Sequence, residues 1–434
     1  MSHILLIKTN NIIIVITKNH QRLIMSSPPP SKYKNYFVSL EEAIGLSQSI
    51  KIPTFEETLP IQDAYNRVLS QDAFSNVDDP PFDNSSMDGY AVIYSDTIDA
   101  TTEKPTELEI IETVSAGSNP IKKLTPGFAI KIMTGAPIPE GADSIIMVEK
   151  TKQIKNKVLI QIPSFKNYIR KKGENLTKKS LVLEKGTYLS SREIGLLATM
   201  GYSKISVIKQ LKISIISTGD ELISPGKKLS LGQIYESNSY GLEGLIKDIG
   251  HIPIRHRAVS DTIDNLRKEL DYASKNSDLI ITSGGVSMGD FDLVRKIMEE
   301  EGEILFWRVK LKPGSPPIFG TWKETPIFGL PGNPVSSHVV FQMLIKPWLK
   351  FIVRAKGPPD KIIKVKLLEN IKGTKDRFTL RRIIVENNGE EMIAYTKTHQ
   401  GSGNLHSMVV ANALTLLPPG KNGNKNEIID VLFF

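Results

Sequence analysis

The sequence predicts a multidomain α/β protein whose main unit is a doubly wound parallel sheet, accompanied by two smaller β domains. Three observations support this. The chain has 434 residues, which is too long for one core and fits about three domains. Between residues 211 and 359, apolar strand-like runs alternate with segments of helical spacing, as in βαβ units. Residues 77–173 and 360–434 instead contain short alternating runs separated by Gly- and Pro-rich turns, which is typical of β domains.

The first 35 residues are predicted to be an extension outside the folded part. Their apolar opening is interrupted from Lys8 to Asn11 and lacks the cleavage site of a signal peptide. Because Met25 precedes a polar, proline-rich stretch, we expect translation to begin there and residues 1–24 to be disordered. The remaining sequence carries no export or anchoring signal, so a cytoplasmic location is expected.

A mostly helical first domain is predicted from residues 36–76 together with residues 174–210. The segment "SLEEAIGLSQSI" has helical spacing, and Ser39 followed three residues later by Glu42 is a capping box. Helical spacing returns in "SREIGLLATMGY". The small β domain of residues 77–173 is therefore predicted to be an insertion within the helical domain.

From Leu211 onward, strand and helix signals alternate, which predicts a parallel sheet with helices on both faces. The linker "RAKGPPDK" separates this domain, residues 211–359, from the final β domain at residues 360–434. In chain order the predicted strands are "LKISIIST", "IPIRHRAV", "DLIIT", "EILFWRVKL" and "PIFGL", and the predicted helices are "SYGLEGLIKDIG", "TIDNLRKELDYASK", "FDLVRKIMEE" and "SSHVVFQMLIKPWL".

Composition excludes several kinds of site. The absence of cysteine excludes disulfides, thiolate zinc sites, iron–sulfur clusters and cysteine nucleophiles. With only seven histidines, a metal is expected on oxygen ligands, which favours Mg²⁺. The net charge of +8 is spread thinly along the chain, so a solvated basic surface is favoured over a nucleic-acid groove. No apolar stretch is long enough to cross a membrane, and no membrane partner is expected.

Four loops rich in glycine or proline follow predicted strands of the doubly wound domain. Such domains bind ligands at the carboxyl ends of their strands, where these loops converge. Glycine lets the backbone approach an anion closely, so four loops on one edge predict a phosphate-bearing ligand. The expected contacts are Ser217, Thr218 and Gly219 in the first loop, Ser283, Gly284, Gly285 and Ser287 in the second, Lys312, Pro313 and Gly314 in the third, and Pro331, Gly332, Asn333 and Pro334 in the fourth.

Four carboxylates are expected on the same edge of the sheet, at Asp220, Glu221, Asp261 and Asp292. Carboxylates repel a bound phosphate unless a divalent cation bridges the two, so the pattern predicts a magnesium site. A structural alternative stays open for Asp261, which precedes a helix and could be its N-cap, and for Asp220, which could cap the loop after its strand.

Basic side chains are expected beside the same loops. Arg295, Arg308, Lys310 and Lys312 flank them and could neutralise phosphate or hold an oxyanion. Walker A and GxGxxG patterns are absent. Residues 285–289 match the spacing GxSxG, but Ser287 has no evident histidine partner. ATPase, NAD-dependent and serine hydrolase activities are therefore not favoured.

Several long motifs, in order along almost the whole chain after residue 36, resemble those of the MoeA/gephyrin family of molybdenum insertases. They are "PPFDNSSMDGYAV", "IKIMTGAPIPEGAD", "STGDEL", "TSGGVSMGDFD", "KPGSP", "GLPGNPVSS", "RFTLRR" and "HQGSGNLHSMVVANAL". The resemblance implies four domains, an elongated homodimer, and magnesium-dependent insertion of molybdenum from molybdate into adenylylated molybdopterin with release of AMP. It also implies a molybdopterin adenylyltransferase as a protein partner.

The resemblance further implies an active cleft shared between two subunits. By spacing alone, Asp88 in "MDGY" is a turn residue. Carried over by motif, Asp88 and Thr134 are expected to enter the cleft from one subunit, and Glu221, Asp261, Asp292, Pro331 and Pro334 to belong to the doubly wound side of the other.

The chain departs from the family pattern at a few positions. Asn175 replaces a common acidic residue, Arg295 and Arg308 stand where lysine is common, and Ser315 replaces another lysine. Arginine keeps the charge but not the shape, so tungstate in place of molybdate stays open. Two other functions also stay open: adenylylation of molybdopterin, done in related proteins by a domain like residues 211–359, and a non-catalytic scaffold as in the gephyrin branch.

Overall fold

A computed structural model of the chain describes residues 4–9, 12–17, 35–286 and 292–434. Its elements through the inserted β domain are β1 (Ile4–Thr9), β2 (Ile12–Thr17), β3 (Tyr36–Val38), α1 (Leu40–Ser49), β4 (Glu56–Pro60), β5 (Ala73–Phe74), β6 (Asn84–Ser85), β7 (Gly89–Val92), α2 (Tyr94–Thr97), β8 (Thr106–Val114), β9 (Phe128–Ile132), β10 (Ser144–Met147), β11 (Thr151–Ile154), β12 (Lys157–Ile160) and β13 (Ile169–Arg170). Short 3₁₀ turns occupy Ile61–Asp63, Val148–Lys150 and Lys166–Tyr168.

The second half continues with β14 (Leu181–Leu183), α3 (Ser191–Thr199), β15 (Lys204–Ile208), β16 (Lys212–Ser217), β17 (Leu222–Ile223), β18 (Ile234–Tyr235), α4 (Asn238–Asp248), β19 (Ile252–Arg255), α5 (Ile263–Asn276), β20 (Leu279–Ser283), α6 (Leu293–Glu300), β21 (Glu303–Val309), β22 (Leu311–Lys312), β23 (Ile318–Trp322), β24 (Thr325–Leu330), α7 (Pro334–Val340) and α8 (Lys346–Ile352). A π-helical turn, Phe341–Ile345, joins α7 to α8. The last elements are β25 (Lys361–Leu367), β26 (Phe378–Thr379), β27 (Arg382–Asn387), β28 (Met392–Tyr395), α9 (His406–Val410), β29 (Ala413–Thr415) and β30 (Ile428–Phe433).

A seven-stranded sheet with helices on both faces is the centre of the fold. Its strand order is β19-β16-β20-β24-β23-β21-β3, and the first four strands run parallel. Apolar side chains of α1, α4, α7 and α8 pack on one face, and those of α5 and α6 pack on the other. Because β20 is covered on both sides, all five of its residues are buried. The predicted multidomain α/β architecture with a doubly wound sheet is present.

The prediction of a fully parallel sheet is wrong, because β23 runs antiparallel to both β24 and β21. A two-residue hairpin causes the reversal. Its residues Lys323 and Glu324 both have positive φ, of 47° and 68°, as a type I′ turn requires. Such turns usually contain Asn or Gly, so "KE" carried no recognisable turn signal.

The segment from Tyr36 to Ser49, assigned from sequence to the helical first domain, packs on the doubly wound sheet. Strand β3 pairs in parallel with β21, and Val38, Leu40 and Ala43 belong to the core of that sheet. The predicted capping box of α1 is confirmed, since the Ser39 hydroxyl accepts from the Glu42 amide and the Glu42 carboxylate accepts from the Ser39 amide. Burial of the apolar face of α1 against α8 decides its position.

The rest of the first domain is less helical than its sequence predicts. Strand β4 pairs with β15 and β5 pairs with β14, which joins the segments before and after residues 77–173. Helix α3 covers these strands through Leu197, which is fully buried. Long-range pairing of short strands has no strong local signal, so a helical pattern in α3 dominated the prediction.

Two β units flank this arrangement. The inserted unit is a six-stranded sheet of order β10-β7-β9-β8-β12-β11, with an apolar cluster on each face. The C-terminal unit is a closed barrel of β25, β28, β27, β29 and β30 around its own core. Leu380, Leu414 and Leu432 of that unit join the core of the doubly wound domain, so the two domains share a packed boundary.

The N-terminal extension contains a pair of strands, which the sequence analysis did not predict. Strands β1 and β2 are antiparallel, with Ile4 opposite Thr17 and Thr9 opposite Ile12. Both segments are rich in β-branched isoleucine, valine and threonine, which favour extended backbone. Among the described residues, no helix is long and apolar enough to cross a lipid bilayer.

Candidate functional site

A cavity of about 680 Å³ lies at the carboxyl ends of the parallel strands β16, β20 and β24. This is the edge at which the sequence predicts a ligand site. The predicted residues that line the cavity are Ser217, Thr218, Gly219, Glu221, Asp261, Ser283, Gly284, Gly285, Asp292, Pro331, Gly332, Asn333 and Pro334.

Glycine is required where the second loop passes beside the first. Gly284 has a φ of 101°, and a Cβ atom there would lie 2.8 Å from the Thr218 carbonyl oxygen. At Gly285, φ is 65° and a Cβ would meet Val294 at 3.1 Å. The Gly284 amide donates to the Leu330 carbonyl at 3.0 Å, which links the second loop to the end of β24. Three loops are thus held together as one floor.

Carboxylates form one side of this floor. Glu221, Asp261 and Asp292 line the cavity. Asp220 does not line it, but its Oδ1 accepts from the Asp261 amide at 3.1 Å. Burial raises the pKa of Asp261, and the nearby charges of Asp220 and Glu221 raise it further. The N-cap of α5 is Thr262, whose hydroxyl accepts from the Asn265 amide, so capping does not explain Asp261.

The donor set suits a hard divalent cation. Oxygen ligands are what Mg²⁺ prefers, and a cation would offset the burial and the charge repulsion that raise the pKa of Asp261. Within the described ranges, no three acidic or histidine side chains converge on one point as a finished metal site. Mg²⁺ is commonly bound by one or two carboxylates together with substrate phosphates and water, and this arrangement fits that case.

Two lining residues that the sequence analysis missed tie the loops together. Glu236 is buried and accepts from the Ser217 hydroxyl at 2.9 Å. The Asn238 side-chain nitrogen donates to the Ser283 hydroxyl and to the Gly332 carbonyl, both at 2.7 Å. Both residues lie where α4 begins, directly after β18. No local pattern marked these two residues, because the strand order that brings them to the cavity is known only from the structure.

The C-terminal domain also reaches the cavity, through Gly403 and Leu405. The Val335 amide donates to the Ser402 carbonyl at 3.1 Å, which joins this loop to the start of α7. The buried side chain of Arg382 fixes this loop, since its Nη2 donates to the Gly401 carbonyl at 2.9 Å. Burial, and then the charge of Arg381, lower the pKa of Arg382 to about 10. The motif "HQGSGNLHSM" contains this loop, but its sequence alone does not place it beside the sheet.

Other lining residues were also not among the predicted contacts. They are the apolar or small side chains Leu222, Ile234, Tyr235, Ser237, Val286 and Pro316. Of these, Pro316 is the contribution of the third loop, since Lys312, Pro313 and Gly314 do not line the cavity. Ser287 lies outside the described residues.

Asp88 and Thr134 are close to each other but do not line the cavity of their own chain. The Thr134 amide and hydroxyl donate to Asp88 Oδ1 at 2.7 Å and 3.0 Å. These two hydrogen bonds, the backbone one first, lower the pKa of the exposed Asp88 carboxyl. The inserted domain therefore presents an ionised carboxylate in a defined orientation on its surface.

The predicted basic residues are placed apart from the acidic floor. Arg308 donates from Nη1 to the Tyr36 hydroxyl at 2.9 Å, and its guanidinium lies 5.3 Å from the centre of the Phe37 ring. Lys310 and Arg377 approach the same ring at 5.8 Å and 5.2 Å. None of these side chains lines the cavity, so an oxyanion-binding role for Arg308 stays a prediction.

Comparison with known proteins adds independent findings. Three family models match the chain in order: MoeA N-terminal region (domain I and II) at residues 38–201, probable molybdopterin binding domain at 214–350, and MoeA C-terminal region (domain IV) at 364–434. A molybdopterin molybdenumtransferase of Haemophilus influenzae is 38% identical over 303 residues, which are 69% of this chain and 74% of that relative.

A molybdopterin molybdenumtransferase of a Nostoc species is 34% identical over 373 residues, 84% of this chain and 85% of that relative. A crystal structure of the molybdopterin biosynthesis moeA protein from Pyrococcus horikoshii matches with a TM-score of 0.79 at 30% identity. That match covers 92% of this chain and 100% of the other. Similarity extends through all three matched regions in one order, in sequence and in fold.

Proposed function

Because the chain belongs to the MoeA family of molybdopterin molybdenumtransferases, we propose that it inserts molybdenum into molybdopterin during biosynthesis of the molybdenum cofactor. The substrate is adenylylated molybdopterin, the metal source is molybdate or tungstate, and AMP is released. The reaction depends on Mg²⁺. The cavity at the carboxyl edge of the doubly wound sheet, where glycine loops meet three carboxylates, is the observation that carries this proposal.

The cavity has the size and chemistry that such a substrate needs. A volume of about 680 Å³ is in the range of small-molecule and cofactor sites. The glycine loops let the backbone approach the pyrophosphate, and the apolar wall of Leu222, Ile234 and Tyr235 offers a surface for a flat ring. Polar floor and apolar wall therefore match a ligand with both phosphate and heteroaromatic parts.

Glu221, Asp261 and Asp292 are the residues that would hold Mg²⁺. When bound, the cation neutralises phosphate charge and orients the phosphoryl group for attack. The chain's own contribution is to position the substrate, because the glycine loops hold the phosphates in one orientation. Asp220 supports this set by fixing the backbone of Asp261.

A second copy of the chain completes the site in this proposal. Asp88 and Thr134 form an ordered, exposed pair that has no contact with the cavity of the same chain. A homodimer would place this pair opposite the acidic floor of the other subunit. The protein that supplies adenylylated molybdopterin would be a molybdopterin adenylyltransferase.

The experiment that tests the function measures AMP release from adenylylated molybdopterin with Mg²⁺, in the presence of molybdate, tungstate or neither. We expect release to depend on an oxyanion, and Asp261→Asn to reduce it about 100-fold because a cation ligand is lost. Asp99→Asn, which changes an exposed carboxylate in the inserted domain, is the matched control. Full activity of Asp261→Asn, or no release by the unaltered protein with any oxyanion, contradicts the proposal.

A further inference from the structure

The segment leading into α4 contacts two serines that end neighbouring strands. It runs from Glu236 to Ser239, and it touches Ser217 at the end of β16 and Ser283 at the end of β20. The sheet order reverses at β16, which has β19 on one side and β20 on the other. Both serines line the cavity, as do Glu236 and Asn238. The hydrogen-bonding state of each serine is therefore set from the same segment.

Glu236 uses the proton of Ser217. Its Oε1 accepts from the Ser217 hydroxyl at 2.9 Å and from the Ser239 amide at 2.8 Å, and its Oε2 accepts from the Ser239 hydroxyl at 2.6 Å. A carboxylate has no proton to return, so the Ser217 hydroxyl is committed as a donor to Glu236. Toward the cavity, Ser217 can only accept a hydrogen bond.

Asn238 leaves the proton of Ser283 free for a ligand. Its amide nitrogen can only donate, and both of its hydrogens are used, one for Ser283 Oγ and one for the Gly332 carbonyl. The Ser283 oxygen is therefore an acceptor toward Asn238. Within the described part of the chain, no acceptor receives the Ser283 hydroxyl proton. Toward the cavity, Ser283 is a donor.

We propose that Glu236 and Asn238 are positioning residues that give the two serines opposite polarity, so that Ser283 donates to a phosphate oxygen of the substrate and Ser217 accepts from an N–H or O–H of its organic part. This rests on the proposed function for the identity of the substrate. Phosphate oxygens accept hydrogen bonds and do not donate them at neutral pH, so only Ser283 suits the phosphate. The pair thereby fixes which end of the substrate lies at which strand.

A double-mutant cycle separates this role from simple bracing of the loops. The variants are Ser283→Ala, Asn238→Asp and the combination, with binding of Mg²⁺ and AMP measured by calorimetry on the full chain. Aspartate has nearly the shape of asparagine but accepts from Ser283, so the serine proton turns away from the ligand. We expect each single variant to weaken AMP binding about tenfold, the value of one charge-assisted hydrogen bond.

The coupling between the two positions is the decisive result. If Asn238 acts through the Ser283 proton, Asn238→Asp costs at least threefold less affinity in the Ser283→Ala background than in the unaltered protein. The added charge and the lost bond to Gly332 are the same in both backgrounds and cancel in the cycle. If the affinity losses of the two single variants simply multiply in the double variant, the proposal is overturned. Asn238→Leu, which removes the hydrogen bonds without adding charge, is expected to lose less affinity than Asn238→Asp.

A second readout tests the opposite polarity of Ser217. Ser217→Ala is expected to weaken binding of inorganic pyrophosphate with Mg²⁺ less than Ser283→Ala does, because Ser217 has no proton to offer an anion. Equal losses for the two serines would contradict the assignment.

Failure of this inference can be told apart from failure of the proposed function. If the unaltered protein releases AMP but the variants show no coupling between positions 238 and 283, the function stands and the inference is overturned. If the variants show the expected coupling in AMP binding but the unaltered protein releases no AMP from the adenylylated substrate, the inference stands and the function is overturned. An unaltered protein that binds neither AMP nor pyrophosphate overturns the inference.

Discussion

The acidic floor of the doubly wound domain and the Asp88 pair of the inserted domain show two ways of preparing a carboxylate. Asp261 is partly buried beside other acids, and its pKa is raised. Asp88 is exposed, accepts two hydrogen bonds from Thr134, and its pKa is lowered. A bound cation would favour the ionised form of Asp261, whereas Asp88 is an ionised carboxylate that is exposed on the surface of the inserted domain. In the proposed shared site, one subunit would therefore supply a carboxylate whose charge is disfavoured and the other a carboxylate whose charge is favoured.

The largest effect is expected when the two halves are inactivated in different subunits. Asp261→Asn and Asp88→Asn homodimers should each lose about 100-fold in AMP release, because each lacks one half of both sites. Mixed by co-expression, they should recover about a quarter of the unaltered activity. Half of the dimers are then mixed, and each mixed dimer has one intact site.

The control is the double variant in one chain, mixed with the unaltered chain. In its mixed dimers, each of the two sites lacks either Asp261 or Asp88. The AMP release of this mixture should therefore not exceed that of the unaltered homodimers it contains. Failure of the two single variants to complement each other would mean that Asp88 does not act in the cavity of a partner.

A smaller effect, on stability, should distinguish the loops of the two domains. Gly284→Ala places a Cβ 2.8 Å from the Thr218 carbonyl at a φ of 101°, and we expect a loss of about 3 kcal/mol in the free energy of unfolding. Gly117 in the inserted domain has a φ of 85° but open space around it, so Gly117→Ala should cost about 1 kcal/mol. Urea unfolding measures both losses. Equal losses would mean that the loops around Gly284 accommodate the added Cβ without loss of stability.

The smallest effect concerns stability: replacing Asp261 and replacing Asp88 should change the free energy of unfolding in opposite directions. The folded-state pKa of Asp261 lies above 3.8, so the stability of the fold decreases as the pH rises from 3.8 through that folded-state pKa, and the loss is complete at higher pH. Asp88 has the opposite shift, so its contribution to stability is present at neutral pH and lost as the pH falls through its folded-state pKa. At pH 7 we expect Asp261→Asn to raise the urea midpoint and Asp88→Asn to lower it.

The pH dependence provides the check on this last pair. Below the usual pKa of 3.8, Asp261 is protonated in both folded and unfolded chains, so the stabilising effect of Asp261→Asn should vanish there. A stabilisation that persists at low pH would indicate a packing effect of the asparagine, rather than removal of a buried charge beside other carboxylates.

Much of the doubly wound domain could be predicted from the sequence. Strands β16, β19 and β20 and the helices from α4 to α6 have strong local patterns, because buried strands and amphipathic helices must match the layers that cover them. The two-residue strands β17 and β18 were not predicted. The hairpin at Lys323 and Glu324 could not be predicted, since its residues lack the usual turn chemistry. The position of α1 was also missed, because a capping box says where a helix begins and not what it packs against.

The sequence by itself determined which segments would end at the ligand edge, since glycine at positive φ and strand-to-loop boundaries are local properties. Only the tertiary structure decided which polar groups share that edge. Glu236, Asn238 and the loop at Gly403 reach the cavity because distant segments pack beside it, and hydrogen-bond direction at Ser217 and Ser283 depends on those neighbours. Local patterns encode elements, whereas the chemistry of a site depends on contacts between residues far apart in the chain.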